Sequence, residues 1–179
     1  DNPGEYFLDR NSGVLSYIPR PGEDMPNAEV IAPVLSELVR FEGDPSTQNL
    51  VKNIQLRGIS IEYSDWTLPE NGYVDMQAAY DIPGIIRGNG AANITIADCI
   101  ITHHGKYGVE FARGCRDITI IGCEISDMGA GGIKIGEPAV RTEEREKTYG
   151  NMVSDCHIHH IGEVYPAACG VIIFQSGKN

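Results

Sequence analysis

Histidine and aspartate recur in this sequence at a spacing that invites acid–base chemistry. His103 follows CIIT, Asp127 follows CEIS and His160 follows CHIH, so each stands four residues after a cysteine. Tyr63 holds the same place in a weaker copy, NIQLRGISIEY (53–63), where Ile59 replaces the cysteine. An imidazole–carboxylate–imidazole series can give and take protons, with Asp127 as one acid–base group and a histidine as another. The competing reading is a row of polar turn residues facing water. The ligand types would also suit a metal. If the three climb one ladder of rungs, however, the outer two lie about 10 Å apart, which is wide for ligands each about 2.1 Å from a single ion. No metal and no cofactor is therefore expected. Eleven residues after the same cysteines come Glu110 and Lys134. Glu110 is the candidate second carboxylate, with Glu124 and Asp155 as further carboxylates of the region, and Lys134 is a candidate substrate contact.

The elements that must position these groups are repeats. DITIIGCEISDMGAGGIKIG (117–136) falls without a gap on NITIADCIITHHGKYGVEFA (93–112). A third copy, CHIHHIG (156–162), resumes after an insertion as GVIIF (170–174). A period of this size signals a repeat architecture. Within each copy the apolar residues alternate in short runs broken by Asp and Gly, as in Ile118/Ile120 and Ile133/Ile135, which is strand periodicity. No copy contains an amphipathic helix. Three short strands and three turns per period predict an all-β, right-handed parallel β-helix, a β-solenoid.

Residues 1–45 lie outside the repeat and read as an N-terminal lead-in, with 46–179 as the β-helix rungs. EYFLDRNSGVLSYIP (5–19) predicts a β-hairpin and AEVIAP (28–33) a strand, while VLSELVRFEG (34–43) fits either a short helix or a strand. Two excursions interrupt the rungs, SDWTLPENGYVDMQ (64–77) and the charged EPAVRTEEREKTYG (137–150). Insertions in a solenoid sit on loops, often on one face, and can wall a groove. Trp66, Tyr73 and Tyr80 could stack on sugar rings, as could Tyr107, or they could cover a small core of their own. Asn93-Ile94-Thr95 is formally a glycosylation sequon, but its place at the head of a rung predicts a turn-capping Asn.

Cys99, Cys123 and Cys156 share one column. Parallel Cβ vectors about 4.8 Å apart do not suit a disulfide, so a ladder of small, reduced core side chains is expected. Cys115 and Cys169 lie outside it, and no zinc spacing is present. The net charge of −11 and pI near 4.8 argue against a nucleic-acid partner. No apolar run is long enough to span a membrane. The chain opens at Asp1 without Met, which fits removal of a signal segment. The apolar last strand, GVIIFQSG (170–177), has no capping unit after it, so the expectation is a truncated solenoid whose open rung meets a continuation or another chain.

LDRNSGVLSYIPRPGEDM (8–25), AEVIAPVL (28–35) and above all SDMGAGGIKIGE (126–137) resemble bacterial secreted right-handed β-helix proteins around glycoside hydrolase family 141, which includes plant cell-wall fucosidases and xylanases. The resemblance implies a secreted or periplasmic glycosidase that binds a polysaccharide or oligosaccharide in a groove along the helix axis and acts through carboxylates. Asp127 matches the position of one such carboxylate. His160 departs from the pattern, standing where a second would be expected. Polysaccharide lyase or epimerase chemistry is the alternative, with His103 or His160 as base and Lys134 neutralising a uronate; a non-catalytic glycan-binding or structural shaft is a third reading.

Overall fold

The structure, a computed structural model, describes residues 2–68, 70–74 and 76–179, so Asp1 and two residues of the first excursion, Pro69 and Asp75, lie outside it. The described chain forms two compact units, 1–32 and 33–179. The first holds the expected hairpin. Strands β1 (Tyr6–Asp9) and β2 (Val14–Tyr17) pair antiparallel in the register Tyr6↔Tyr17 to Asp9↔Val14. The Asp9 carboxylate caps the turn by accepting the Asn11 N–H (2.9 Å) and the Ser12 hydroxyl (2.6 Å). The strand expected over 28–33 does not form. That stretch is bounded by Pro26 and Pro33, each lacking the N–H that a ladder requires.

The second unit is a stack of rungs. From 34–43 the strand alternative is realised as β3 (Val39–Glu42). There follow β4 (Val51–Arg57), β5 (Ser60–Ser64), β6 (Gly84–Asn89), β7 (Ala91–Ala97), β8 (Ile100–His104), β9 (Tyr107–Phe111), β10 (Arg116–Ile121), β11 (Glu124–Met128) and β12 (Ile133–Ile135). The last are β13 (Thr148–Tyr149), β14 (Met152–Ser154), β15 (His157–Ile161), β16 (Val171–Ile173) and β17 (Ser176–Gly177). They make three parallel sheets: β4-β7-β10-β13-β17 with β14 also on β10, then β5-β8-β11-β15, then β3-β6-β9-β12-β16. Each strand pairs with its counterpart in the next rung, the connectivity of a parallel β-helix.

Period-2 alternation turns one side of every strand inward. Ile61, Ile101, Ile125 and Ile158 are register partners, as are Ile54, Ile94 and Ile118. All join one core, the central members having no exposed surface. Gly88 sits between Phe41 and Phe111 in register, and a Cβ there would lie 2.4 Å from the Phe111 ring. Its absence lets the two rings stack at 5.7 Å. Cys99 and Cys123 are buried and Cys156 is half-buried; all three are free thiols that donate to carbonyls, as Cys123 does to Ile121 O at 3.4 Å.

The corners are made by columns of left-handed residues. Asn53, Asn93 and Asp117 have φ of 61°, 53° and 56°, and Asn93 Nδ2 donates to Asn53 Oδ1 at 2.7 Å. Asn and Asp tolerate this region because their side chains bond locally. The sequon asparagine is thus a corner residue, as expected. A second such column is Tyr63, His103, Asp127 and His160, with φ between 47° and 60°. Tyr and His are uncommon there. The turn, rather than the core, singles out these positions.

Candidate functional site on the outer face of the second sheet

The left-handed corner pushes its side chains off the second sheet into solvent, where they stack along the axis. The Tyr63 and His103 rings lie 4.9 Å apart and nearly parallel. His103 Nε2 is 3.7 Å from Asp127 Oδ2, and each side chain is about half exposed (48% and 49%). Thr102 donates to the same carboxylate oxygen at 3.4 Å and shares a 3.0 Å hydrogen bond with Ser126. An aromatic face, an imidazole and a carboxylate thus occupy three successive rungs. His160 continues the column in backbone register, but its ring meets His159, Nδ1 to Nδ1 at 2.6 Å. Glu124 projects from the same face of β11, its Oε1 3.4 Å from His159 Nε2. Asp155 is exposed on the turn before β15 and is bonded by the Ser154 hydroxyl.

Glu110 and Lys134 are register partners, as the repeat predicts, but they belong to the third sheet and face a covering loop. Glu110 Oε2 accepts the Gly84 N–H at 2.9 Å and lies 3.5 Å from Arg87, while Oε1 is 3.4 Å from Lys134. Lys134 donates to the carbonyls of Tyr80 (2.9 Å) and Ile82 (2.7 Å). Burial lowers its pKa, and Glu110 partly restores it. These contacts tie the end of the connection between β5 and β6 down onto the sheet. Glu110, expected as second catalytic carboxylate, and Lys134, expected as substrate contact, are both buried, with their polar atoms engaged within the fold.

The aromatic candidates resolve similarly. Tyr107 has no exposed surface; it donates to Ala78 O at 2.5 Å and accepts the Cys169 N–H at 3.2 Å, which corrects its reading as a sugar contact. It forms a small second core with Ala79, Ile82, Ala130 and Tyr165, against which Trp66 and Tyr73 pack. Trp66 Nε1 donates to Tyr165 Oη at 2.7 Å, so this ring too serves the excursion's own core.

The sequence matches the family described as right-handed β-helix region over residues 40–142 and, overlapping, 83–179. This chain belongs to that family. Its hand is therefore the expected one. A solved structure described as a glycoside hydrolase superposes with a TM-score of 0.87 at 20% identity, covering 97% of this chain and 35% of that one. The chain thus spans about a third of the length of that neighbour. No curated protein matches.

In this β-helix the Gly-rich block serves packing between rungs. A Cβ on Gly129 would meet Gly105 O at 2.3 Å, one on Gly131 would meet Cys169 O at 2.1 Å, and one on Gly132 would meet Gly170 O at 2.5 Å. The space left by the missing side chains is filled by neighbouring backbone, not left open to a ligand. Sequence reasoning also missed His104 and Lys106. His104 is buried, with Nδ1 3.0 Å from Ser64 Oγ and Nε2 3.0 Å from Ile61 O. Lys106 is buried under the Trp66 ring, 5.1 Å from its centroid. Beside the left-handed corner at His103, strand alternation fails to show which neighbour turns inward.

Proposed function

We propose that this chain is the glycan-active part of a secreted or periplasmic glycoside hydrolase, of the kind found around glycoside hydrolase family 141, acting on a plant cell-wall type polysaccharide. The observation that carries the reading is the exposed Tyr63–His103–Asp127 stack. A flat aromatic face suits a sugar ring, and a carboxylate held by an imidazole and a hydroxyl lies two rungs away. The fold shared with a protein described as a glycoside hydrolase supports the same class. Asp127 either gives its proton to the glycosidic oxygen as the bond to the anomeric carbon breaks or takes the proton of the attacking water, the second carboxylate doing the other, while His103 and Thr102 orient it. With Glu110 buried, the remaining exposed carboxylate on β11 is Glu124. Asp127 lies against His103 on the preceding rung and Glu124 against His159 on the following one; a working separation of about 5–5.5 Å between the carboxyls gives retention and about 6.5–9.5 Å gives inversion.

Lyase or epimerase chemistry is less favoured, because the cation it would need, Lys134, is buried against Tyr80 and Ile82. Glycan binding without cleavage is favoured by one observation, namely that the corner alone accounts for the column's left-handed backbone. Incubation with xylan and pectin panels distinguishes the readings. New reducing ends without unsaturated ends are expected, and NMR of the first-formed anomer distinguishes inversion from retention. Unsaturated ends would identify a lyase, and retention of glycan without products would identify a binding module.

A further inference from the structure

We infer that the cavity between the second excursion and the last rung is a binding site for an uncharged sugar ring, separate from the face that carries Asp127. Glu137, Val140, Arg141 and Glu146 of the excursion line it, together with Gln175 and Gly177 of the last rung. The Gln175 N–H donates to Glu137 O at 3.3 Å, which joins the two walls. The cavity has a volume of about 330 Å³. That is the low end of the roughly 300–1,000 Å³ of small-ligand sites, so it suits one ring rather than a length of polymer.

The walls carry charges that cancel. Arg141 donates from Nε to Glu137 Oε1 at 2.6 Å and from Nη2 to Oε2 at 3.1 Å, a two-pronged pair that fixes the plane of the guanidinium. Arg113 donates to Glu146 Oε1 at 2.5 Å, and Lys147 pairs with Glu144. A charged ligand would have to break one of these pairs to gain a partner. An uncharged ligand need not. Arg141 Nη1 lies 3.9 Å from Glu146 Oε2, too far for a hydrogen bond. A ligand hydroxyl set between them accepts from the guanidinium and donates to the carboxylate, using capacity that the existing pairs leave open. Hydroxyls that each give and take a hydrogen bond are what a sugar presents.

The other walls suit the rest of a ring. Val140 is 74% exposed, a large apolar side chain on a charged loop, and offers a surface to the C–H face of a pyranose. At Gly177 no other atom stands within 4 Å of where a Cβ would be, in contrast to the filled block at 129–132. Bare backbone of this kind lets a ligand approach closely. The site shares no residue with the Tyr63–His103–Asp127 column and does not use Glu124, so it stands whether or not that column is catalytic. It holds a glycan on the protein without making or breaking a bond.

The test is amide NMR titration of the full chain with xylose, arabinose, glucose, galactose, mannose and fucose, and with galacturonic acid as the charged comparison. At least one neutral sugar should shift the amides of 137–147 and 175–177 saturably, and galacturonic acid should bind more weakly. Gly177 has no left-handed φ, so Gly177→Leu can fill the opening without backbone strain. That variant should lose the shifts and melt with the parent. Arg141→Lys keeps the charge but not the planar fork, and should weaken binding more than about tenfold, the scale of a hydrogen bond to a charged group. Tyr63→Ala should leave this affinity unchanged, which separates the site from the proposed catalytic face. The assignment is overturned if no neutral sugar shifts these amides or if galacturonic acid binds more tightly than all of them. Parental affinity in both Gly177→Leu and Arg141→Lys would overturn it as well.

Discussion

Asp127 and His103 owe their exposure to a backbone corner, and that corner makes the proposed role open to a clean test. Neither side chain contributes to the core, so Asp127→Asn should melt with the parent. Turnover of the best glycan substrate should fall about 10²-fold or more, the scale of a lost acid–base group. Parental turnover in that variant would reduce Asp127 to a turn residue. His104, one residue from His103, behaves differently. Burial lowers its pKa, outweighing the hydrogen bond to Ile61 O, and the neutral ring is held by Ser64. Because the folded pKa lies below the unfolded value of about 6.5, its stabilising contribution is complete above that pH and is lost as the pH falls below it. His104→Gln should therefore flatten the decline in melting temperature between pH 7 and pH 5, as read by circular dichroism.

For the strands, register governs tolerance. Ile125 is buried between Ile101 and Ile158, so Ile125→Asp should abolish cooperative melting, since an unpaired buried charge costs several kcal/mol. Glycines of the 129–132 block are constrained from outside their own strand. Gly131→Ala would bring a Cβ to 2.1 Å from Cys169 O and 2.2 Å from the Tyr107 ring. Overpacking of this kind costs about 1–3 kcal/mol, and a lower denaturation midpoint in urea should show it. A variant as stable as the parent would mean that the block is open, as a substrate channel would require.

Across the whole solenoid unit, burial is greatest in the central rungs and declines toward the last. Strands β7 to β11 contain most of the fully buried side chains, whereas β15 to β17 are half-buried or exposed. Stability in stacked repeats follows such gradients. Amide exchange should therefore be slowest in β8 to β11 and fastest in β16 and β17. Thiol reactivity should follow the same order. Burial pushes Cys115 up to about 12 and Cys123 to about 11, leaving little reactive thiolate at neutral pH. Iodoacetamide should label Cys156 and Cys169 well before Cys99, Cys115 and Cys123. Uniform labelling would contradict the inward ladder.

The rung, its three strands and the Ile and Cys columns were legible in the sequence, because a stacked core demands the same small set of side chains at the same step every turn. The positions of Tyr63, His103, Asp127 and His160 on one column followed from that register. What the side chains touch did not follow. Glu110 and Lys134 read as groove residues until the excursion between β5 and β6 folded over them, a contact made from more than twenty residues away in sequence. The packing role of the glycine block is set by the carbonyls of Gly105, Cys169 and Gly170 on neighbouring rungs, which its own sequence does not reveal. The His159 ring lies between Glu124 on the neighbouring rung and His160 beside it, a contact that the repeat does not specify. Local period determines which residues face inward. Which outward residues remain exposed depends on what else packs over them, and only the tertiary structure decided that.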